Sequence, residues 1–324
     1  MQDIKDFEPL FGGWEIDEPL GEGSYGMVYK IVKRDMGGEY WAAVKHLSLP
    51  KESEPYPEDL ENDIEGLKAY YQDDLDKLSV EINLCRKLEG TTNIVSYNDF
   101  EKHDKPSGIG YDVFIKMELL TSLPNHIKKG GLSVRDVVWL GEDICKALMV
   151  LEQEQIVHRD IKPANIFVNS RGDYKLGDFG ISKAMESKAS NMSSRGTPDY
   201  VAPETYYGDP VSFYTDIYSL GLVLYRMANQ NRLPLLPLPP ETITRRLRND
   251  ALERRLKGEP LPPPVDADGE LAEIILKACA YRPEDRWQSA EEMGRALVHY
   301  QERMGWSRAA GSASPVKAAA PVAG

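Results

Sequence analysis

The sequence predicts an α+β chain in two segregated parts, strands first and helices after. Alternating, β-branched segments crowd the first 120 residues, and apolar residues at three- and four-residue steps dominate after Leu120. A length of 324 residues is enough for a well-buried core and about two structural units.

The elements follow in order. From Trp14 to Val44 the pattern is strand-like, and "GMVYKIVKRDMGGEYWAAVKHL" alternates about a Gly37-Gly38 turn, a hairpin signature. After the acidic, proline-bearing "LPKESEPYPED" a helix is expected from about Leu60 to Leu88, with Leu75, Leu78, Ile82, Cys85 and Leu88 on one face. "NIVSYNDF" and "YDVFIKMELL" read as two more strands, giving five strands and one helix. Next, "LSVRDVVWLGEDICKALMVLEQEQ" carries an apolar stripe behind Ser133, a suitable N-cap. A short strand pair is expected around "NIFVNSRGDYKLGDF", then helices near 216–229, 241–257, 270–280 and 289–303. The proline-rich "NRLPLLPLPP" and "EPLPPPVD" read as ordered connections, and the basic run at 245–257 as a solvated helix face. The closing stretch "SRAAGSASPVKAAAPVAG" lacks large apolar side chains and reads as a disordered tail or linker. The expected division is 1–120, 121–304 and a disordered tail or linker at 305–324.

Composition narrows the partners. Lys plus Arg number 39 against 52 Asp plus Glu, a formal charge of −13. Such a surface repels phosphate backbones and anionic lipid, so nucleic acid and membrane surfaces are poor default partners. Cys85, Cys145 and Cys279 have no metal-ligand spacing and read as buried free thiols in a reducing compartment. The N-terminus is no signal peptide, and "YSLGLVLYRM" is too short to span a bilayer. A cytoplasmic chain is expected, or the cytosolic part of something longer; the oligomeric state is not legible.

Gly21, Gly23 and Gly26 in "LGEGSYGMVYK" spell G-x-G-x-x-G, a spacing shared by dinucleotide turns and by flaps over ATP phosphates. A dinucleotide turn needs a helix after the third glycine and an acidic residue about 20 positions on. Here Gly26 runs into the β-branched "MVYKIVKR", and the nineteenth residue after it is Lys45. ATP fits and a dinucleotide does not.

"VHRDIKPANIFV" supplies His158, Arg159, Asp160, Lys162 and Asn165; "GDFG" supplies Asp178; "GTPDYVAPE" ends in Ala202, Pro203 and Glu204. With the glycine loop and Ala-Val-Lys, this ordered set over about residues 12 to 300 resembles the eukaryotic-like Ser/Thr protein kinase family, in phrasing a bacterial member. The resemblance implies a bilobal fold: a five-stranded antiparallel first lobe with one long helix, and a mainly α-helical second lobe.

It also implies the parts of a phosphoryl-transfer site. Leu20, Gly21, Glu22, Gly23, Ser24, Tyr25 and Gly26 would form the nucleotide flap, with N–H groups near Ser24 and Tyr25 over the phosphates. Val28 and Ala43 would wall the adenine, Met117 would back it, and Glu118 C=O and Leu120 N–H would face the base. Lys45 would bind the α- and β-phosphates, oriented by an acid of the long helix; Glu81 is preferred over Glu61, Glu65 and Asp76. Asp178 and Asn165 would hold Mg²⁺, with Mn²⁺ able to stand in. Asp160 would take the acceptor proton, and Lys162 would steady the γ-phosphate. Lys162-Pro163 and Thr197 match the Ser/Thr-directed members, so protein Ser/Thr hydroxyls are the expected acceptors. Ser187, Ser190, Ser193, Ser194 and Thr197 lie between the D-F-G and A-P-E motifs. Autophosphorylation within 187–194, with Arg159 receiving the phosphate, is the expected switch. Asp216 would be a buried structural aspartate, and Arg286 would pair with Glu204. The rival readings are a pseudokinase scaffold, which needs a broken motif, and a dinucleotide-dependent oxidoreductase, which rests on the glycines alone.

Overall fold

The computed structural model describes residues 4–23, 26–51, 55–128, 130–178 and 199–308. They fall into two compact units. The first holds residues up to Leu120 and also takes 158–160 and 177–178; the second holds the rest of the described residues.

In the first unit a five-stranded antiparallel sheet runs in the order β1-β2-β3-β5-β4. Its strands are β1 (Glu15–Gly23), β2 (Gly26–Asp35), β3 (Gly38–Leu49), β4 (Tyr97–Asp104) and β5 (Tyr111–Met117). The β2–β3 hairpin turns at Gly37, whose φ of +78° suits the left-handed region that glycine enters freely. The third glycine of the loop opens strand β2, not a helix. Directly opposed residues share a face of a sheet, as do alternate residues along a strand. Val28 opposes Lys45, Ala43 opposes Met117, and Met117 opposes Tyr97. Val28, Ala43, Lys45, Met117 and Tyr97 therefore share one face.

The opposite face carries Ile31, Ala42, Val44 and Phe114, all buried. It packs with Leu10 and Ile16, and with Ile4, Phe7, Phe11 and Trp14 from the N-terminal segment. The N-terminal segment is pinned by backbone groups as well: Phe11 N–H donates to Glu101 and Ile16 N–H to Glu8, each at 2.7 Å. The core role of this stretch is not legible in the sequence, because it depends on contacts up to 90 residues away.

Helix α1 spans Ile64–Lys87, four residues later than its expected start, because Asp63 caps it by accepting Gly66 N–H. It buries Leu67, Tyr71, Leu78, Ile82 and Cys85. Leu49, Leu67 and Tyr71 form a second cluster, flanked by Tyr56, Leu60 and Tyr111.

The second unit opens with the short β6 (Thr121–Ser122) and α2 (Leu123–Ile127), then α3 (Val134–Gln153) and the pair β7 (Ile166–Val168) and β8 (Tyr174–Leu176). Ser133 and Asp136 complete a capping box at the start of α3. Five helices follow: α4 (Pro203–Tyr207), α5 (Phe213–Met227), α6 (Arg245–Leu256), α7 (Gly269–Ala278) and α8 (Ala290–Arg303). Helix α5 contains the apolar "YSLGLVLYRM" and is buried on nearly every side, which accounts for its all-round hydrophobicity. Gly141 of α3 packs closely on α8, since an added Cβ would lie 2.8 Å from a Leu297 methyl, which would have to shift. The first six residues of α6, Arg245 to Asp250, are exposed as expected. The three cysteines are free and buried. Among the described residues no helix is long and apolar enough to cross a membrane.

The boundary expected at 304 needs correction. Gly305, at φ +66°, ends α8 in a left-handed turn and sends the chain back along the unit. Trp306 then meets Tyr300 edge-on, and Arg308 donates to the buried Asp143 carboxylate at 2.6 Å and to Gly172 C=O at 3.2 Å. Composition hides this because the anchor is one arginine in a small-residue stretch; residues 309–324 lie outside the described part. Arg308→Ala should lower unfolding stability by about 2 kcal/mol, since Asp143 keeps only Lys146 at 3.6 Å and Tyr174 N–H. A urea midpoint unchanged from wild type would show that the residue contributes nothing.

Candidate active site

Lys45 sits in the middle of β3, is 3% exposed, and donates from Nζ to Asp178 Oδ1 at 2.6 Å. A buried ammonium needs such a partner. The Asp178 side chain is 31% exposed. The ion pair joins residues 133 positions apart in the chain.

Asp178 occupies left-handed backbone at φ +57°, uncommon for any residue but glycine. The peptide unit that precedes it is held at both ends. His158 Nε2 meets Gly177 C=O at 3.1 Å, and Asp178 N–H donates to the Tyr97 hydroxyl at 3.0 Å. Asp160 N–H donates to His158 Nδ1 at 3.3 Å. Nδ1 is thus the acceptor and Nε2 carries the proton that Gly177 C=O receives, a neutral imidazole. One buried ring thereby ties the backbone of Asp160 to that of Asp178. The motif containing His158 is plain in the sequence, but this bridging task is not; Tyr97 carries no sequence signal beyond its place in a strand.

Among the acids weighed on the long helix, Glu61 precedes α1, Glu65 pairs with Lys68 at the surface, and Asp76 is exposed beside Gln72. Of the four, only Glu81 is partly buried, and the carboxylate that Lys45 pairs with among the described residues is Asp178, not Glu81. Burial first, then the Glu81 and Asp178 carboxylates, push the Cys85 thiol up to about 12, with the Lys45 ammonium opposing. A thiol held there is inert at neutral pH. Burial, then the Asp178 charge, raises the Tyr97 phenol well above its ordinary range, so its hydroxyl stays neutral.

Ala43 and Met117 are buried on the Lys45 face, with Val28 half-buried beside them. Leu20 is 41% exposed, and Gly21 and Glu22 are exposed on β1. Gly23 ends β1 opposite Gly26. Gly26 is required by the sheet itself, because an added Cβ would fall 1.9 Å from His46 C=O. Glu118 is occupied locally: its N–H donates to Ser96 C=O at 3.1 Å and its carboxylate accepts Ser96 N–H at 2.7 Å. Leu120, half-buried, closes the first unit. Ser24, Tyr25, Ser187, Ser190, Ser193, Ser194 and Thr197 lie outside the described residues. Arg159 is exposed, at φ +66°.

Lys162 and Asn165 belong to the second unit. They bracket a 3₁₀ turn in which Asn165 N–H donates to Lys162 C=O at 3.0 Å, and Asn165 is buried at 5% exposure. Asp216 is buried in the first turn of α5. The pair expected between Glu204 and Arg286 is present and bidentate, at 2.7 and 2.8 Å.

The donors suit a hard divalent cation shared with phosphate oxygens. Among the described residues there is no cluster of three or more His, Cys, Asp or Glu side chains that could hold a metal. Mg²⁺ characteristically takes one or two carboxylates and keeps its remaining positions for phosphate and water. The partly exposed Asp178 side chain beside a buried lysine matches that demand.

A family profile described as "protein kinase domain" matches residues 14–297. The serine/threonine-protein kinase PknB of Mycobacterium tuberculosis is 32% identical over 213 residues, 63% of this chain and 33% of the relative. That of Mycolicibacterium smegmatis is 30% identical over 217 residues, 64% of this chain and 33% of the relative. Mitogen-activated protein kinase kinase kinase 1 of Arabidopsis thaliana is 31% identical over 317 residues, 95% of this chain and 46% of the relative. The aligned part spans about a third of the length of the mycobacterial relatives.

Proposed function

Since this chain belongs to the protein kinase domain family, we propose that it transfers the γ-phosphoryl group of ATP to serine and threonine hydroxyls of proteins. The observation that carries the reading is the Lys45–Asp178 contact at 2.6 Å on one face of the five-stranded sheet. Phosphoryl transfer asks little covalent chemistry of a protein; it asks that charge be neutralised and the attacking and leaving oxygens be held in line.

Lys45, fixed by strand pairing on both sides, presents its ammonium to the α- and β-phosphates, and Glu81 keeps it aligned. Val28, Ala43 and Met117 give the adenine an apolar surface; Glu118 C=O and Leu120 N–H face its polar edge. Leu20 to Gly26 form the flap over the phosphates. Asp178 and Asn165 are the residues that would hold Mg²⁺, which would supply neutralisation of the charge that gathers on the phosphate oxygens. Asp160 takes the acceptor hydroxyl's proton onto its carboxylate as that oxygen bonds to phosphorus and the bridge to ADP breaks. Lys162 offsets negative charge on the moving group. Ser/Thr direction is supported by Lys162-Pro163 and by the names of the relatives. Autophosphorylation in 187–194, read by the exposed Arg159, belongs to the same reading. All the motif side chains are intact, so nothing favours a scaffold without activity.

The test is incubation with γ-labelled ATP, Mg²⁺ and a generic basic protein, followed by phosphoamino-acid analysis. Label on phosphoserine and phosphothreonine is expected. Tight ATP binding without label transfer would overturn the proposal.

A further inference from the structure

From this geometry we infer that Tyr97 is a positioning residue for phosphoryl transfer, its hydroxyl holding Asp178 in the backbone conformation that aims the carboxylate at the metal. The inference rests on the kinase reading above and adds to it a residue outside the recognised motifs.

Three observations converge. Tyr97 opens β4 opposite Met117, which opposes Ala43, so its ring shares the face of the sheet that carries Lys45. The residue is 6% exposed, and its hydroxyl accepts Asp178 N–H at 3.0 Å. That N–H and the Gly177 carbonyl held by His158 belong to a single peptide unit, so the plane is gripped at both ends. Rotation of this plane changes φ of Asp178 directly, and φ is +57°, a region that costs a non-glycine residue free energy unless its surroundings enforce it. Lys45 cannot supply that restraint alone. It binds the tip of the side chain, and a flexible side chain can keep one contact while the backbone turns beneath it. Loss of the phenol oxygen takes a hydrogen bond from that N–H, which favours a turn of the plane.

Tyr97→Phe removes the oxygen and keeps the ring; Tyr97→Leu removes both. The experiment titrates Mg²⁺ against ADP binding by calorimetry and against initial rate, for the unsubstituted chain and both variants. For Tyr97→Phe, half-maximal effect is expected at about fivefold to tenfold higher Mg²⁺ in both readouts. At saturating Mg²⁺, KM for ATP should move less than about twofold. Tyr97→Leu should shift the Mg²⁺ requirement at least as far. A purely packing role for the ring predicts otherwise: Tyr97→Phe would keep the wild-type Mg²⁺ midpoint while only Tyr97→Leu suffered, and that result would overturn the inference. So would a Tyr97→Phe rate loss with no change in Mg²⁺ midpoint. If the unsubstituted chain transfers no phosphate, the kinase reading itself fails, a result separate from either of these.

Discussion

Arg286→Ala is expected to destabilise the second unit by about 3–5 kcal/mol, the largest stability effect of any single substitution considered. The guanidinium is 1% exposed as a residue and spends its donors completely. Nε binds Ala280 C=O; Nη1 binds Glu204 and Tyr214 C=O; Nη2 binds Glu204 and Tyr281 C=O, all between 2.7 and 3.0 Å. Its flat face lies 4.7 Å from the Tyr218 ring centre. Truncation strands Glu204, whose carboxylate would keep the Thr215 hydroxyl at 3.0 Å. It also frees three backbone carbonyls, those of the adjacent Ala280 and Tyr281 and that of Tyr214. The pH dependence has a definite sign. Burial pushes the Glu204 carboxyl upward, but hydrogen bonding and charge from Arg286 outweigh it and leave the group below the ordinary glutamate value of 4.5. A carboxylate depressed on folding stabilises the folded chain at pH above that ordinary value and loses the contribution as pH falls through the lower, folded value. The gap between wild type and Arg286→Ala in urea unfolding should therefore be full at neutral pH and narrow below about pH 4.5. A gap that widened on acidification would contradict the ion-pair account.

Asp160→Asn should reduce the transfer rate by about 10²–10⁴-fold while changing ATP affinity by less than about twofold. The substitution keeps the size of the side chain and removes its capacity to accept a proton. The contact that locates this segment is made by the backbone, since Asp160 N–H donates to His158 Nδ1. Asparagine retains that N–H, so the imidazole and the Gly177 carbonyl it holds should stay in place. Single-turnover rates with nucleotide binding measured alongside separate the two effects. Equal loss of binding and rate would mean that Asp160 supports the nucleotide site and is not the base.

The strands and helices were legible because their signals are local. Alternation about Gly37-Gly38 locates the β2–β3 hairpin, and Ser133 marks the start of α3 to the residue. Helix α6 was expected from 241 but begins at Arg245, where Thr244 caps it; the prolines before it blur the boundary. Spacing and motif chemistry also singled out Lys45, Asp160 and Asp178. What escaped depends on tertiary register. Tyr97 matters because β4 pairs with β5 so as to turn a phenol toward a backbone N–H 81 positions away. Arg308 matters because a glycine turn brings it back to Asp143, 165 positions earlier. That Glu61 precedes α1 while Glu65 and Asp76 lie exposed on it likewise follows from the helix start and the buried face of α1. No periodicity in a single chain encodes such pairings.

Nucleotide affinity with and without Mg²⁺, compared between the unsubstituted chain and Asp178→Asn, bears most directly on the claim that Lys45 and Asp178 together form a site for metal and phosphate. Wild-type affinity for ATP should tighten on adding Mg²⁺ by about tenfold or more, and in Asp178→Asn that gain should vanish while metal-free binding through Lys45 persists. The same Mg²⁺ gain in both proteins would contradict the account.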